Sequence, residues 1–128
     1  MKLLIVHQNF PGQYKHLAAW LAQNGAEIVA LSQRDAPPMA GLRHIRYAPH
    51  HKPAKGAYAL SNHWEESAGA GFGVALACRT LARDGFRPDV ILGHVGWGEL
   101  TFVKEVWPDV PVIGYFEYFY RATGGSVG

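Results

Sequence analysis

Short runs of residues that are apolar along their whole length most constrain the fold of this chain. Four such runs are LLIV at 3–6, EIVALS at 27–32, DVILG at 89–93 and PVIGYF at 111–116. A strand without a polar face is buried on both sides, as in parallel sheets covered by helices. Segments with helical periodicity alternate with these runs. The sequence therefore predicts an α/β, Rossmann-like fold: an open, mostly parallel sheet of about five strands with helices on both faces.

Three helices and one further strand are predicted between the runs. RHIRY at 43–47 alternates apolar and polar residues as a short or edge strand does. The third helix is predicted from about Trp97 to Val106 and is stopped by Pro108. The first helix ends at Asn24 and Gly25, and its apolar residues recur at helical spacing, at Tyr14, Leu17, Ala18 and Leu21.

The second helix is predicted to be long. Asn62 with Glu65 three residues later has the form of a capping box, and the helix should reach Asp84. Its predicted apolar face consists of Trp64, Ala68, Phe72, Ala75 and Leu76. The glycines of AGAGFG at 68–73 do not follow a strand, so we interpret them as allowing close packing or a bend rather than as a phosphate loop.

Length and composition indicate one globular domain over residues 1–128, with 48% hydrophobic and 17% charged residues. The net charge of +2 comes from scattered basic residues, which argues against nucleic acid as a partner. No apolar run approaches the roughly 18 residues of a transmembrane segment. The apolar run at the amino terminus is too short for the apolar region of a signal peptide. The lone Cys78 is interpreted as an inert core thiol, and a reducing, cytoplasmic location is expected.

Ligands of such sheets bind beyond the carboxyl ends of the strands. The loop after strand one is NFPGQ, which carries the single Gly12 and lacks both the dinucleotide and the Walker glycine patterns, so no cofactor is expected. The backbone of Gly12 and the N–H groups from about Gln13 to Lys15 would suit a phosphate oxygen. A simple tight turn at Pro11 and Gly12 explains the loop equally well.

The loop after strand four is HVGWGE, where glycines at 93, 96 and 98 would let the backbone approach a ligand closely. His94 would donate a hydrogen bond to a ligand hydroxyl or be satisfied by nearby backbone, and the two interpretations have equal weight on these residues alone. Glu99 would accept such a bond or lie at the start of the next helix, where a carboxylate is favoured.

Two further groups of polar residues are weighed as sites. Glu117 ends strand five among aromatic residues, with Arg121 as its nearest candidate partner, and is a moderate site candidate. His50 and His51, near His44, lie on a loop rich in Pro and Lys without a suitable ligand spacing. We therefore predict no metal site.

Three stretches of the chain together resemble a known family. RPDVILGHVGWGE and EVWPDVPVIGYFEYFYRATGG, with LIVHQNFPGQYKHLAAWLA near the start, are similar to the amino-terminal domain of family 4 glycosyltransferases of the GT-B architecture, most closely to one bacterial subgroup. The resemblance implies retaining transfer of a sugar from a nucleotide sugar to an acceptor, in a cleft between two Rossmann-like domains. This chain would be the acceptor-side half, and its partner would be a carboxyl-terminal donor-binding domain beyond the sequence.

The resemblance also implies roles for individual residues. His94 matches the family histidine that reaches the donor sugar and is taken as the catalytic residue. The loop carrying Pro11, Gly12 and Gln13 would face the donor phosphates and the acceptor. Four more residues would line the cleft: Gly96, Trp97, Glu99 and Glu117. Without the second domain the departing phosphate is not stabilised, so the isolated chain should be inactive.

Two alternatives come from other functional classes. A flavodoxin-like binding or regulatory module, such as a receiver domain, would need acidic residues after strand one and an aspartate after strand three. His7, Gln8 and Asn9 follow strand one instead. A stand-alone interaction domain that keeps the fold without catalysis stays open as the second alternative.

Overall fold

The structure is a computed structural model that describes residues 1–49 and 59–116, with the backbone alone for 59–63. The strands are β1 Lys2–Val6, β2 Glu27–Ser32, β3 Leu42–Arg46, β4 Val90–Val95 and β5 Val112–Phe116. The helices are α1 Lys15–Gln23, α2 Ala59–Arg83 and α3 Val103–Val106, and a 3-10 turn at Gly12–Tyr14 leads into α1.

The five strands form one parallel sheet in the order β3-β2-β1-β4-β5. This confirms the predicted α/β fold and the edge position of the strand near residue 44. The central pair is β1 and β4, whose register aligns Val6 with Gly93. The carboxyl ends of β1 and β4 therefore lie side by side. The residues that follow Val6 in β1 and Gly93 in β4 are neighbours for the same reason.

Alternate residues of the apolar strands feed two separate cores, one on each face of the sheet. On the α1 face, Leu3 and Ile5 pack with Tyr14 and Ala18. On the opposite face, Leu4 and Val6 pack beneath α2 and α3, in a cluster that includes Val74, Cys78, Leu81, Val103 and Trp107. Two-sided burial explains the apolar interiors of β1, β2 and β4, whereas β5, at the sheet edge, is largely exposed.

The predicted apolar face of α2 is wrong. Among the described residues of α2, the side chains buried in the core are instead those of Ala70, Val74, Cys78 and Leu81. Trp64, Phe72 and Leu76 are 72%, 47% and 47% exposed. The reason is the close approach of the helix to the loop after β4. A Cβ on Gly71 would lie 2.7 Å from the carbonyl oxygen of Gly98. Small side chains therefore face inward, which confirms the packing interpretation of the glycine-rich stretch.

Two predicted helix starts are also wrong. The second helix begins at Ala59, so Asn62 is already inside it and is not its cap. The third helix begins at Val103 instead of about Trp97. Gly96 and Gly98 have φ values of 124° and 93°, which a right-handed helix does not allow, and the Thr101 hydroxyl donates to the Gly98 carbonyl in a turn at 2.7 Å.

Cys78 is fully buried as a free thiol, and burial raises the pKa of that thiol to about 12. Its prediction as a core residue is confirmed. Within the described ranges, no helix has both the length and the apolar character that crossing a bilayer requires.

Candidate active site

Two histidines meet at the carboxyl edge of the sheet. His7 follows the last residue of β1, and His94 is the residue before the last in β4, one register step beyond the aligned pair Val6 and Gly93. Their rings meet edge to face with centroids 5.2 Å apart, and both side chains are buried. His94 was expected in a loop, but it lies inside β4 because its pairing with Tyr115 of β5 continues the ladder.

The hydrogen bonds of His7 define its tautomer. The backbone N–H of Asn9 donates to His7 Nδ1 at 3.0 Å, so that nitrogen is an acceptor. The proton of the neutral ring therefore lies on Nε2, which donates to the side-chain oxygen of Gln13 at 2.6 Å. The pair ties the loop after β1 to the end of the central strand.

Gly12 lies against this histidine pair. Its φ is +45°, in the left-handed region, and an added Cβ would lie 2.6 Å from two ring atoms of His7. Pro11 precedes it, and the carbonyl of Pro11 accepts from the backbone N–H of Tyr14 at 2.7 Å. The structure thus brings the predicted residues Pro11, Gly12 and Gln13 together with His7, which the sequence interpretation did not select.

An aromatic stack surrounds His94. The Trp97 ring lies at 6.3 Å and 22° from the imidazole, and the Tyr115 ring at 6.0 Å and 30°. Trp97 is 50% exposed and Tyr115 is 44% exposed, whereas His94 is 4% exposed. Separations of this size are normal for offset aromatic pairs. The imidazole is therefore held in place while its two aromatic neighbours present surface to solvent.

A cavity of about 330 Å³ opens beside the end of β4. It is lined by His94, Val95, Gly96, Gly98, Leu100 and Thr101. Nothing lies within 4 Å of a Cβ built on Gly96, so that glycine borders open space. The cavity has the size of a small-molecule site.

Glu99 lies beneath the loop rather than at its surface. It is 1% exposed, and the Tyr47 hydroxyl donates to its Oε1 at 3.3 Å. Burial raises the pKa of this carboxyl, while its own backbone N–H, the Tyr47 hydroxyl and the charge of His94 oppose the rise. The helix-start alternative for Glu99 is wrong, because α3 begins four residues later.

Four residues weighed from the sequence lie outside the described residues. They are His50, His51, Glu117 and Arg121. The described groups around the candidate site are the imidazoles of His7 and His94, the Gln13 amide, the Thr101 hydroxyl and the rings of Trp97 and Tyr115. Such groups bind hydroxyl and phosphoryl oxygens and the apolar faces of ring-shaped ligands.

Comparison with solved structures finds similar folds. Two crystal structures of the C-terminal domain of the PF1911 hydrogenase from Pyrococcus furiosus superpose on this chain. One has a TM-score of 0.57 at 16% identity, covering 88% of each chain. The other has a TM-score of 0.59 at 15% identity, covering 89% of each chain. At such identity the likeness concerns the fold alone, and no curated protein matches the chain.

A family comparison is more specific. The sequence profile of the glycosyl transferase family 4 group matches residues 24–128. The matched range includes β2 to β5 and His94, and it leaves out β1 and the loop around Gly12. Because the match extends over most of the chain, this protein belongs to the glycosyl transferase family 4 group and carries a glycosyltransferase-type domain.

Proposed function

We propose that this chain is the acceptor-side, amino-terminal half of a retaining glycosyltransferase of the GT-B architecture. The full-length protein transfers a sugar, of the hexose type, from a nucleotide sugar to an acceptor. Family membership supports the transferase class. The observation that carries the proposal is the meeting of the loops after β1 and β4 around His7 and His94, beside a cavity of about 330 Å³.

His94 donates a hydrogen bond to a hydroxyl of the donor sugar in this proposal. Its ring is buried and stacks with the rings of Trp97 and Tyr115, which limits its motion and favours one orientation. A hydrogen-bond donor that is already oriented stabilises the transition state more than a mobile side chain does, because no reorganisation is needed at the moment of reaction. Gly96 lines the cavity, and the half-exposed ring of Trp97, which stacks with His94, offers an aromatic face to the substrate.

The loop around Gly12 faces the donor phosphates and the acceptor. Gly12 brings the backbone close to the ligand, Pro11 shapes the turn, and Gln13 is oriented by its bond to His7. Glu117 is proposed to line the same cleft from the end of β5. These assignments rest on the family resemblance and on the position of the loop at the sheet edge.

The second half of the cleft belongs to a carboxyl-terminal domain, which holds most of the donor. In retaining transfer the departing phosphate must be stabilised, and the groups that do so lie in that domain. The isolated chain is therefore inactive. A cytoplasmic location agrees with the single buried thiol of Cys78.

His94→Ala in the full-length protein tests the proposal. Turnover would be followed as hydrolysis of, or transfer from, a panel of UDP- and GDP-sugars. Loss of one preoriented hydrogen-bond donor should lower turnover about 100-fold. Arg79→Ala is the control, because Arg79 is exposed on α2 and is not among the residues that line the cavity. Turnover of His94→Ala equal to that of the control would refute the assignment.

Calorimetry on the isolated chain tests whether the nucleotide sugar is held mainly by the proposed carboxyl-terminal domain. Titration with the same nucleotide sugars should give weak or undetectable heat of binding, because the donor is held mainly by the absent domain. A tight complex with the isolated chain would show that the donor site had been assigned to the wrong half.

A further inference from the structure

Glu99 is an unusual residue to find beneath the cleft. Its side chain is 1% exposed, and its Oε2 atom has no hydrogen-bond partner among the described residues. Burying a carboxyl with an unsatisfied oxygen costs stability, and an apolar side chain of similar volume would avoid that cost. The carboxyl therefore does not serve packing alone.

The partner of Glu99 comes from a distant part of the sheet. Tyr47 follows β3 at one edge, yet its hydroxyl reaches Glu99 Oε1, which follows β4 on the far side of β2 and β1. Both side chains lie on the α2 face, where Tyr47 is part of the core cluster. The Tyr47–Glu99 bond thus joins the segment after β3 to the segment after β4.

The backbone of α2 confines the same loop from above. A Cβ on Gly71 would lie 2.7 Å from the Gly98 carbonyl oxygen, so helix and loop are already in close contact beside Glu99. Gly98 is the residue between Trp97 and Glu99. The loop segment that carries Trp97 is therefore held by the helix on one side and by the buried carboxyl on the other.

His94 and Tyr47 are the described titratable groups that act on the Glu99 carboxyl. His94 and Glu99 are 4% and 1% exposed, and they lie at the two ends of the short loop that carries Trp97, whose ring stacks with His94. In agreement with this arrangement, the charge of His94 opposes the rise of the Glu99 pKa. Interactions between charges are stronger in a buried region than at the surface. Replacing the carboxyl of Glu99 should therefore change the surroundings of the His94 ring.

We propose that Glu99, anchored by Tyr47, is a positioning residue that orients His94 and the Trp97 loop through its buried carboxyl without touching the substrate. This inference rests on the proposed function of His94. It assigns to Glu99 a role distinct from lining the cleft. It also explains why a carboxyl with one unsatisfied oxygen occupies a buried site where an apolar side chain would cost less.

Kinetics of the full-length protein separate this role from direct contact and from packing. Glu99→Gln keeps the shape and an oxygen acceptor for Tyr47. It should lower kcat about tenfold, with KM changed less than about twofold, as expected when an interaction acts through the catalytic group. Tyr47→Phe should change kcat in the same direction by a smaller factor. Glu105→Gln, an exposed substitution on α3, is the control and should leave both constants unchanged.

Two kinetic outcomes would overturn the proposal. A rise in KM at unchanged kcat would mean that Glu99 contacts the substrate. Unchanged kcat and KM in Glu99→Gln would mean that the carboxyl serves the fold alone.

Nuclear magnetic resonance on the 128-residue chain gives a readout that needs no substrate. The ring nitrogen signals of His94 report how its proton is shared between Nδ1 and Nε2. They should move in Glu99→Gln and remain in place in Glu105→Gln. If the wild-type protein turns over no nucleotide sugar, the proposed function fails while this measurement still decides the role of Glu99. Unmoved His94 signals in Glu99→Gln would refute the positioning role.

Discussion

Gly71→Ala tests whether the contact between α2 and the cleft loop is what selects glycine inside this helix. At an exposed helical position, alanine in place of glycine stabilises by about 1 kcal/mol. At Gly71 the new Cβ would lie 2.7 Å from the Gly98 carbonyl oxygen and 2.9 Å from the Phe102 ring. Favourable contacts between carbon atoms lie at about 3.5 to 4.0 Å. Helix and loop would therefore have to separate by several tenths of an ångström.

The clash should outweigh the gain in helix propensity. Overpacking a tight contact costs about 1 to 3 kcal/mol, against the gain of about 1 kcal/mol from alanine. The variant should therefore lose up to about 2 kcal/mol of unfolding free energy, which lowers Tm by about 4 °C per kcal/mol. Urea unfolding of the 128-residue chain, followed by far-ultraviolet circular dichroism, measures the free energy directly.

A matched pair at Arg79 supplies the control. Arg79 is exposed in the same helix, so Arg79→Ala should be more stable than Arg79→Gly by about 1 kcal/mol. If this pair behaves as expected and Gly71→Ala is more stable than the wild type by about 1 kcal/mol, as at an unconstrained helical position, the contact with Gly98 does not constrain the helix. The buried face of α2 would then have to be selected by some other contact.

Three further predictions concern the core, the thiol and the carboxyl. Leu81→Ala should lower the unfolding free energy by about 2 to 5 kcal/mol in the same urea titration. The control Leu17→Ala, at a 44% exposed position, should lower it by less than about 1 kcal/mol. Equal losses in the two variants would contradict the assignment of Leu81 to the core. Iodoacetamide at mildly alkaline pH should alkylate Cys78 in concentrated urea and leave it unmodified in the folded chain, as mass spectrometry would show, because burial raises its pKa to about 12. Because the pKa of Glu99 is raised on folding, the folded state holds its proton longer, and its stability declines as pH rises from about 4.3 through the folded pKa. Glu99→Gln should lack that decline, so its stability relative to the wild type should grow over this range, and a constant difference across pH would count against the raised pKa.

The strands β1, β2 and β4 were predictable because burial on both faces leaves a continuous apolar run. β5 also has such a run, but it lies at the edge of the sheet, and Ile113, Tyr115 and Phe116 are exposed. The inward face of α2 was not predictable. Trp64, Phe72 and Leu76 form one stripe at helical spacing, and Ala70, Val74, Cys78 and Leu81 form another. Periodicity alone does not choose between two stripes. The choice follows from the contact of Gly71 with Gly98, which lies 27 positions further along the chain.

The candidate site was predictable where it depends on topology. His94 was selected because it follows the apolar run of strand four, at the carboxyl edge of the sheet, and because it matches a family histidine. His7 follows the neighbouring strand, but it was considered only as evidence against a receiver domain, which would have acidic residues there. The importance of His7 emerges from the bond to Gln13, which depends on the shape of the loop around Gly12. The burial of Glu99 depends on Tyr47, 52 positions away in sequence, and no local pattern indicates that pairing.

The sheet order has a consequence for how such a cleft can change over evolution. β1 and β4 each have a neighbouring strand on both sides, so their amide protons should exchange with solvent largely through global unfolding. His7 and His94 are attached to these two strands and inherit their rigidity. The loops that follow are fixed by fewer contacts and tolerate replacement more readily. A protein built in this way can alter which ligand it accepts through its loops while the two imidazoles keep their spacing.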